Sequence, residues 1–233
     1  MIRKALWIAV TMGALGGAGC AGAGDGGGGG GPDASLGAQD MIDDLEDGDD
    51  AIAATNGRQG NWYTFHDMTA TGMQMPTDTE FTPMSGGAES SKYAAGTTGS
   101  GFTDWGAGMG FDLNATETTR SVYDASKYKT LVFKAKGNVS IRVALATAGT
   151  TPNTEGGTCT PSTTEGSECE DMHGMTFKLT ADWKEYQVPF AQMTQEGWGL
   201  KVPFDAKTAM GVLFSVDANL QFDYAIDDVS FYE

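Results

Sequence analysis

Two pairs of adjacent carboxylates stand inside apolar runs: Asp43–Asp44 in MIDDLEDGDD (Met41 to Asp50) and Asp227–Asp228 in AIDDVSFYE (Ala225 to Glu233). In the second run Phe222, Tyr224 and Ile226 are even-numbered, whereas Val229 and Phe231 are odd. All five can face one core only if the strand shifts register by one residue, as a β-bulge does, and the shift falls on the acids. The first run flips in the same way between Ile42 and Leu45. If the two strands lie side by side, four carboxylates and Glu46 converge. Crowded like charges raise carboxyl pKa values unless a cation sits among them. Ca²⁺ suits such a site, because it takes roughly six to eight oxygen ligands and a bulge frees backbone carbonyls. A structural Ca²⁺ held by Asp43, Asp44, Glu46, Asp227 and Asp228 is therefore expected; the competing reading makes the acids solvated turn residues.

No motif for catalysis accompanies these acids. There is no Gly-x-Ser-x-Gly, no His-Glu-x-x-His and no phosphate-cradling glycine loop after a strand. A glycosidase needs two carboxylates flanking a cleft, and none stands in a recognisable motif. The protein is expected not to be an enzyme. With 14 Lys+Arg against 31 Asp+Glu the formal net charge is −17, which excludes nucleic acid as a partner, since binding it requires cationic neutralisation of phosphates. Neutral, polar ligands and calcium fit better.

The chain opens with MIRK and an apolar run, ALWIAVTMGAL, too short to cross a bilayer, followed by small residues up to Cys20. This is the pattern of an export signal over residues 1–19. LGGAGC resembles a bacterial lipobox, with Gly17 where Leu is usual, so Cys20 is expected to carry lipid. Residues 20–38 then form a Gly-rich tether with a reach on the order of 20 Å. A cell-envelope protein is expected, monomeric and touching the membrane only through its lipid. The two remaining cysteines, Cys159 and Cys169, lie ten positions apart in a Gly/Thr/Ser-rich stretch and most simply form a disulfide. The other option, a metal site of Cys159, Cys169 and His173, matches no zinc spacing.

Residues 39–233 must position any ligand. Short apolar runs separated by Gly, Thr, Asn, Asp and Pro predict strands at 60–66, 109–113, 130–136, 139–147, 176–179, 185–190, 209–216 and 222–232. KGN at 136–138 predicts a tight hairpin, and 121–127 gives the one helical signal. Many short strands with Gly-rich turns predict an all-β fold, a sandwich or barrel, in a single domain.

The order IDDLEDGD, GNWYTF, GFTDWGAGMGFDL, YKTLVFKAKG, WKEYQVPFAQM, FDYAIDDVSFY resembles galactose-binding-domain-like β-sandwich jelly rolls, and is especially similar to family 11 carbohydrate-binding modules. The first motif departs by having Leu45 where an aromatic is usual. The resemblance implies a non-catalytic domain that binds carbohydrate on a concave sheet, with calcium away from it, and a core role for Trp183. The fold also serves protein interaction and adhesion, so an envelope-interaction domain without a sugar site is the alternative.

Sugar rings stack on aromatic faces while Asp, Gln, Arg and His read hydroxyls. Trp62 and Tyr63 are neighbours in one strand, so one faces inward and the other outward; Tyr63 is the ligand candidate. Trp105 sits in GFTDWGAGMG and Trp198 between two glycines in TQEGWGLK. The resemblance places a ligand-contacting aromatic near Trp198. Arg142 points away from the Val139/Ile141/Val143 stripe: it is a ligand contact if that side is the concave sheet and a solvated charge if it is the outer face. The resemblance holds Asp171 and His173 near the cleft beside the cysteine loop, and Gln195 joins them as a hydroxyl-reading candidate.

Overall fold

The computed structural model describes residues 36–77 and 81–233. The export signal, Cys20 and the Gly run up to residue 35 lie outside the described residues.

Two antiparallel sheets make the fold. In the larger, β10 (Lys184–Pro189), β7 (Thr130–Gly137), β12 (Phe222–Tyr232), β5 (Tyr93–Ser100) and β3 (Met73–Met75) run in that order, with β1 (Gln39–Asp43) also on β12 and β4 (Met84–Ser85) on β5. In the smaller, the order is β2 (Trp62–His66), β6 (Ala107–Asp112), β11 (Ala209–Val216), β8 (Ser140–Thr147), β9 (His173–Lys178). The all-β jelly-roll expectation is met.

Strand alternation decides what each sheet buries. Across the smaller sheet, Trp62, Phe111, Val212, Leu145 and His173 fall in one cross-strand row, and Thr64, Met109, Phe214, Val143 and Met175 in the next. These rows face Phe133, Ile226, Val229 and Phe231 of the larger sheet, all fully buried. Trp62 is the hub: it stacks on Phe214 at 6.0 Å and meets Phe111 edge-on at 4.7 Å. Trp62 therefore faces inward and Tyr63 outward.

The register shift read at Asp227–Asp228 is present; β1 also shifts register, but one step earlier than read, at Ile42 ahead of its acid pair. β1 pairs with β12, and its register slips between Met41 and Asp43; β12 slips against β7 between Asp227 and Ser230. Asp228 adopts left-handed backbone at the β12 shift, with φ of 49°, and Leu45 does so just past the end of β1, with φ of 57°. Three expectations change. KGN at 136–138 makes no hairpin, because β7 and β8 belong to opposite sheets and the turn crosses the sandwich. The 121–127 stretch forms turns and a bridge from Tyr123 to Ala209 rather than a helix. Trp183 is only half-buried, under the ammonium of Lys136 at 4.8 Å, so it covers the rim of the larger sheet instead of filling the core.

Candidate functional site

The outer face of the smaller sheet carries a bare floor between two walls. Its rows run Tyr63, Gly110, Leu213, Ala144, Gly174 and Phe65, Gly108, Ser215, Arg142, Thr176. At the β2 edge three half-buried rings stand in line: Tyr63 and Phe65 have centroids 6.2 Å apart, and Phe65 and Trp105 are also 6.2 Å apart with planes at 28°. Phe65 lies down on the sheet because Gly108 has no side chain; a Cβ there would stand 2.6 Å from its ring. Small residues in the middle and rings at the edge give a flat apolar seat of the kind that stacks a pyranose face.

Two loops flank this face, each wrapped around one buried aspartate. Asp67, fully buried, follows β2 and accepts N–H bonds from Asp104, Trp105 and Gly106 at 2.9, 3.0 and 3.0 Å, and from Thr69 at 2.9 Å. Burial opposes its ionisation, but the bonds from Thr69, Gly106 and Asp104 win and hold its carboxyl below the usual range. Gly106 closes the loop at φ 115°, where a Cβ would strike the carbonyl of Val216. Asp171 does the same on the opposite wall, accepting from Glu196, Gly197 and Gly199 at 2.8, 2.8 and 3.1 Å. Trp198 rides on that loop, 37% exposed, and its indole donates to Glu196 at 3.2 Å.

Several residues expected to read hydroxyls hold this loop instead. The Asp171 carboxylate is spent on backbone N–H groups. Gln195 donates to the carbonyls of Asp171 and Leu200 at 2.7 and 2.9 Å and accepts from Val202 at 3.0 Å. Arg142 does lie on the outer face, but its Nη2 donates to the carbonyls of Met172 and Thr194 at 3.1 and 2.6 Å. His173 lies on the core-facing side of β9, 7% exposed and edge-on to Phe204 at 5.5 Å; burial pushes its imidazole pKa down. The sequence places His173 in a loop; it opens β9, and parity then turns it inward.

A charged group closes one end of the face. Asp112 of β6 pairs with Arg120, whose Nε is 2.7 Å from Oδ1, and Arg120 Nη1 lies 3.8 Å from Glu155. The guanidinium crosses above Gly211; a Cβ there would sit 3.1 Å from Nη2. Glu170 joins them: burial first, then the charge of Glu155, pushes its carboxyl up to about 8, with Arg120 opposing. Tyr63 pairs with Gly110, two residues from Asp112 on β6, which places the cluster beside the ring row, and burial and the charge of Asp112 push the Tyr63 phenol up, with Arg120 opposing. The disulfide Cys159–Cys169, S–S 2.04 Å, ties the segment bearing Glu155 and Glu170. Neighbouring Met172 packs on Ala146, Ala148 and Met210. Sequence reading missed Phe65, Asp67, Asp112, Arg120, Glu155 and Glu170. Phe65 alone left a signal, sharing the parity of Tyr63.

The acid pairs have a different environment from the expected one. Asp43 accepts from Leu45 N–H at 2.9 Å and the Trp62 indole at 2.7 Å; Asp44 accepts from Glu46 N–H at 3.2 Å. Glu46 accepts from Lys92 and Tyr93 N–H at 2.6 and 3.1 Å. Asp227 accepts from Ala88 and Asp228 N–H at 2.7 and 2.8 Å, and Asp228 pairs with Lys134 at 2.9 Å. Among the described residues no group of three or more His, Cys, Asp or Glu gathers to hold a metal ion. These N–H bonds take one or both carboxylate oxygens of Asp43, Asp44, Glu46 and Asp227. Burial instead pushes the carboxyls of Asp43 and Asp227 each up to about 6.

A β-sandwich with a ring-edged, small-residue sheet face is the build of a carbohydrate-binding module. Residues 50–233 match the family Carbohydrate binding domain 30, and the chain belongs to it. Among solved structures, the family 11 carbohydrate-binding module of the cellulosomal cellulase Lic26A-Cel5E of Clostridium thermocellum superposes with a TM-score of 0.53 at 16% identity, over 84% of this chain and 95% of that one. A family 11 module from the same organism, in complex with a β-1,3-1,4-mixed-linked tetrasaccharide, gives 0.51 at 15% identity, over 84% and 96%. Endoglucanase 3 of Fibrobacter succinogenes is 39% identical over 49 residues, which is 21% of this chain; the chain spans 7% of that protein's length.

Proposed function

We propose that the domain is a non-catalytic binder of a neutral glucan chain, laid across the outer face of the smaller sheet. The row Tyr63–Phe65–Trp105 beside the glycine floor carries this reading. Stacked rings supply an apolar contact that any β-linked hexose can use. Trp198, on the loop at the opposite edge of the sheet, is proposed as a second stacking surface. Arg142, Asp171 and Gln195 act by fixing the loop that presents it. The mixed-linked tetrasaccharide bound by the family 11 module supports a β-glucan as the first ligand to try.

Affinity electrophoresis in gels with mixed-linkage β-glucan, xylan or mannan tests the reading. Retardation by glucan is expected, and Tyr63→Ala or Trp105→Ala should weaken it about tenfold or more, near 1.4 kcal/mol. Passage through every gel at the speed of a non-binding control overturns it. Non-catalysis is checked by incubation with the same glucans: new reducing ends, lost in Asp112→Asn, would make the protein a hydrolase.

In the same proposal the domain is tethered to the envelope through lipid on Cys20, and the Gly-rich segment lets it swing over polysaccharide. Radiolabelled palmitate incorporated into the wild type and absent from Cys20→Ala tests the anchor. The join of β1 and β12 is proposed to be held by its backbone ladder, with Asp43 and Asp227 satisfied by N–H donors from neighbouring segments, rather than by calcium. EDTA should then leave the melting temperature unchanged; a lowered melt would restore the calcium.

A further inference from the structure

Methionine is ordinarily a core residue. Met68, Met73 and Met75 are nevertheless 77%, 70% and 62% exposed. With His66 they occupy one short stretch, HDMTATGMQM, residues 66–75. The fold forces the exposure. Gln74 turns inward, 7% exposed, and its amide donates to Thr97 Oγ1 at 3.0 Å and to the carbonyl of Gly108 at 2.8 Å. Its neighbours on β3 must then turn outward together.

The edge strands of the two sheets meet here, with Thr64 of β2 donating to the carbonyl of Pro76, just past β3, at 3.3 Å. Between them His66, Met73 and Met75 line one cavity of about 360 Å³, with Gly72, Gln74 and Thr77. The His66 ring is stacked on Phe102 at 5.2 Å, and its Nδ1 lies 2.7 Å from the carbonyl oxygen of Asp67. A carbonyl can only accept, so Nδ1 carries the proton and Nε2 keeps its lone pair in the neutral ring. One imidazole nitrogen and two thioether side chains lining the same cavity make up a soft, uncharged donor set. Such donors select a soft monovalent cation such as Cu(I) over calcium or magnesium, which take oxygen ligands. The two described cysteines are oxidised to a disulfide; thioethers are soft donors that do not form disulfides.

We infer that His66, Met73 and Met75 form a binding site for a soft monovalent metal ion of the Cu(I) class. His66 lies on the opposite side of β2 from Tyr63 and Phe65, so the site is independent of the sugar face.

Titration of the protein with Ag(I), a Cu(I) stand-in that air does not oxidise, tests it by calorimetry and by the methionine methyl signals in NMR. One ion per chain is expected, moving the methyl signals of Met73 and Met75. The double variant Met73→Leu/Met75→Leu should bind at least tenfold more weakly, while its melting temperature and glucan retention match the wild type. His66→Asn should weaken binding as well. Three results overturn the site: no saturable Ag(I) binding, equal affinity in the double variant, or methyl shifts confined to other methionines. Competition by Ca(II) at comparable concentration also overturns it, since a soft site excludes that ion.

Discussion

A carboxyl group taken out of water without a cation must either find N–H donors or keep its proton, and this protein shows both outcomes. Asp67 finds enough N–H groups to stay ionised, whereas Glu170, beside the like charge of Glu155, is held protonated up to about 8. Glu170 thus sits well above its ordinary 4.5 in the folded chain. Between those two values the folded state holds a proton that the unfolded chain has released, so stability falls as pH rises. The contribution is complete below about pH 4.5 and is lost on passing through 8. Glu170→Gln, permanently neutral, should melt close to the wild type at pH 5 and above it at pH 9. An equal difference between the two proteins at both pH values, read by thermal melts, would count against the buried carboxyl. Asp43 and Asp227, at about 6 against an ordinary 3.8, add a loss of the same sign between pH 4 and 6. The residue scale also marks where sequence reading stopped. Parity within one strand placed the β12 register shift and announced one in β1, though a residue or two late, because alternation is local. What the acids contact was not legible: the N–H that fills Asp227 comes from Ala88, 139 positions away, and no spacing announces it.

At the scale of elements, strands with alternating apolar residues were readable almost to their ends. The 209–216 and 222–232 predictions coincide with β11 and β12, and 130–136 and 139–147 fall within a residue of β7 and β8. β5 escaped because YAAGTTGS offers no large apolar residue to alternate beyond Tyr93. Its smallness is dictated from outside: a Cβ on Gly99 would meet Phe222 at 2.4 Å, and one on Gly96 would meet Met84 at 2.1 Å. The sugar face was half legible for a related reason. Tyr63, Trp105 and Trp198 carry their chemistry in their type, but the loops that aim Trp105 and Trp198 depend on Asp67 and Asp171. Asp67→Asn replaces an acceptor oxygen by an amide that repels the N–H groups of Asp104, Trp105 and Gly106. That should cost about 1–3 kcal/mol of stability and loosen Trp105, lowering glucan affinity. A variant that melts earlier yet binds glucan with wild-type affinity would show that Trp105 does not stack on sugar. Reducing the Cys159–Cys169 bridge should lower stability by about 2–3 kcal/mol from loop entropy alone; an unchanged melt would mean the loop is held wholly by its packing on Met210 and Ala146.

The whole molecule carries a formal charge of −17, and that field decides which polymers can approach. Long-range repulsion acts on every polyanion at low salt and is screened beyond about 10 Å at 0.1 M ionic strength. A neutral glucan feels none of it. Its binding rests on ring stacking and on hydrogen bonds made at contact, which salt screens little. Arg142, the one cation in the two central rows of the outer face, is committed to the carbonyls of Met172 and Thr194, and Arg120 is paired with Asp112. Neither is left to form a salt bridge with a uronic acid. Glucan affinity should therefore change less than about twofold between 50 and 500 mM NaCl, and polygalacturonate should not bind at either concentration. A tenfold loss of glucan binding at high salt would mean that charge, not stacking, holds the ligand. Retention of polygalacturonate at low salt would show that one of the two arginines leaves its partner on binding, and would move the ligand class from neutral to acidic polysaccharide.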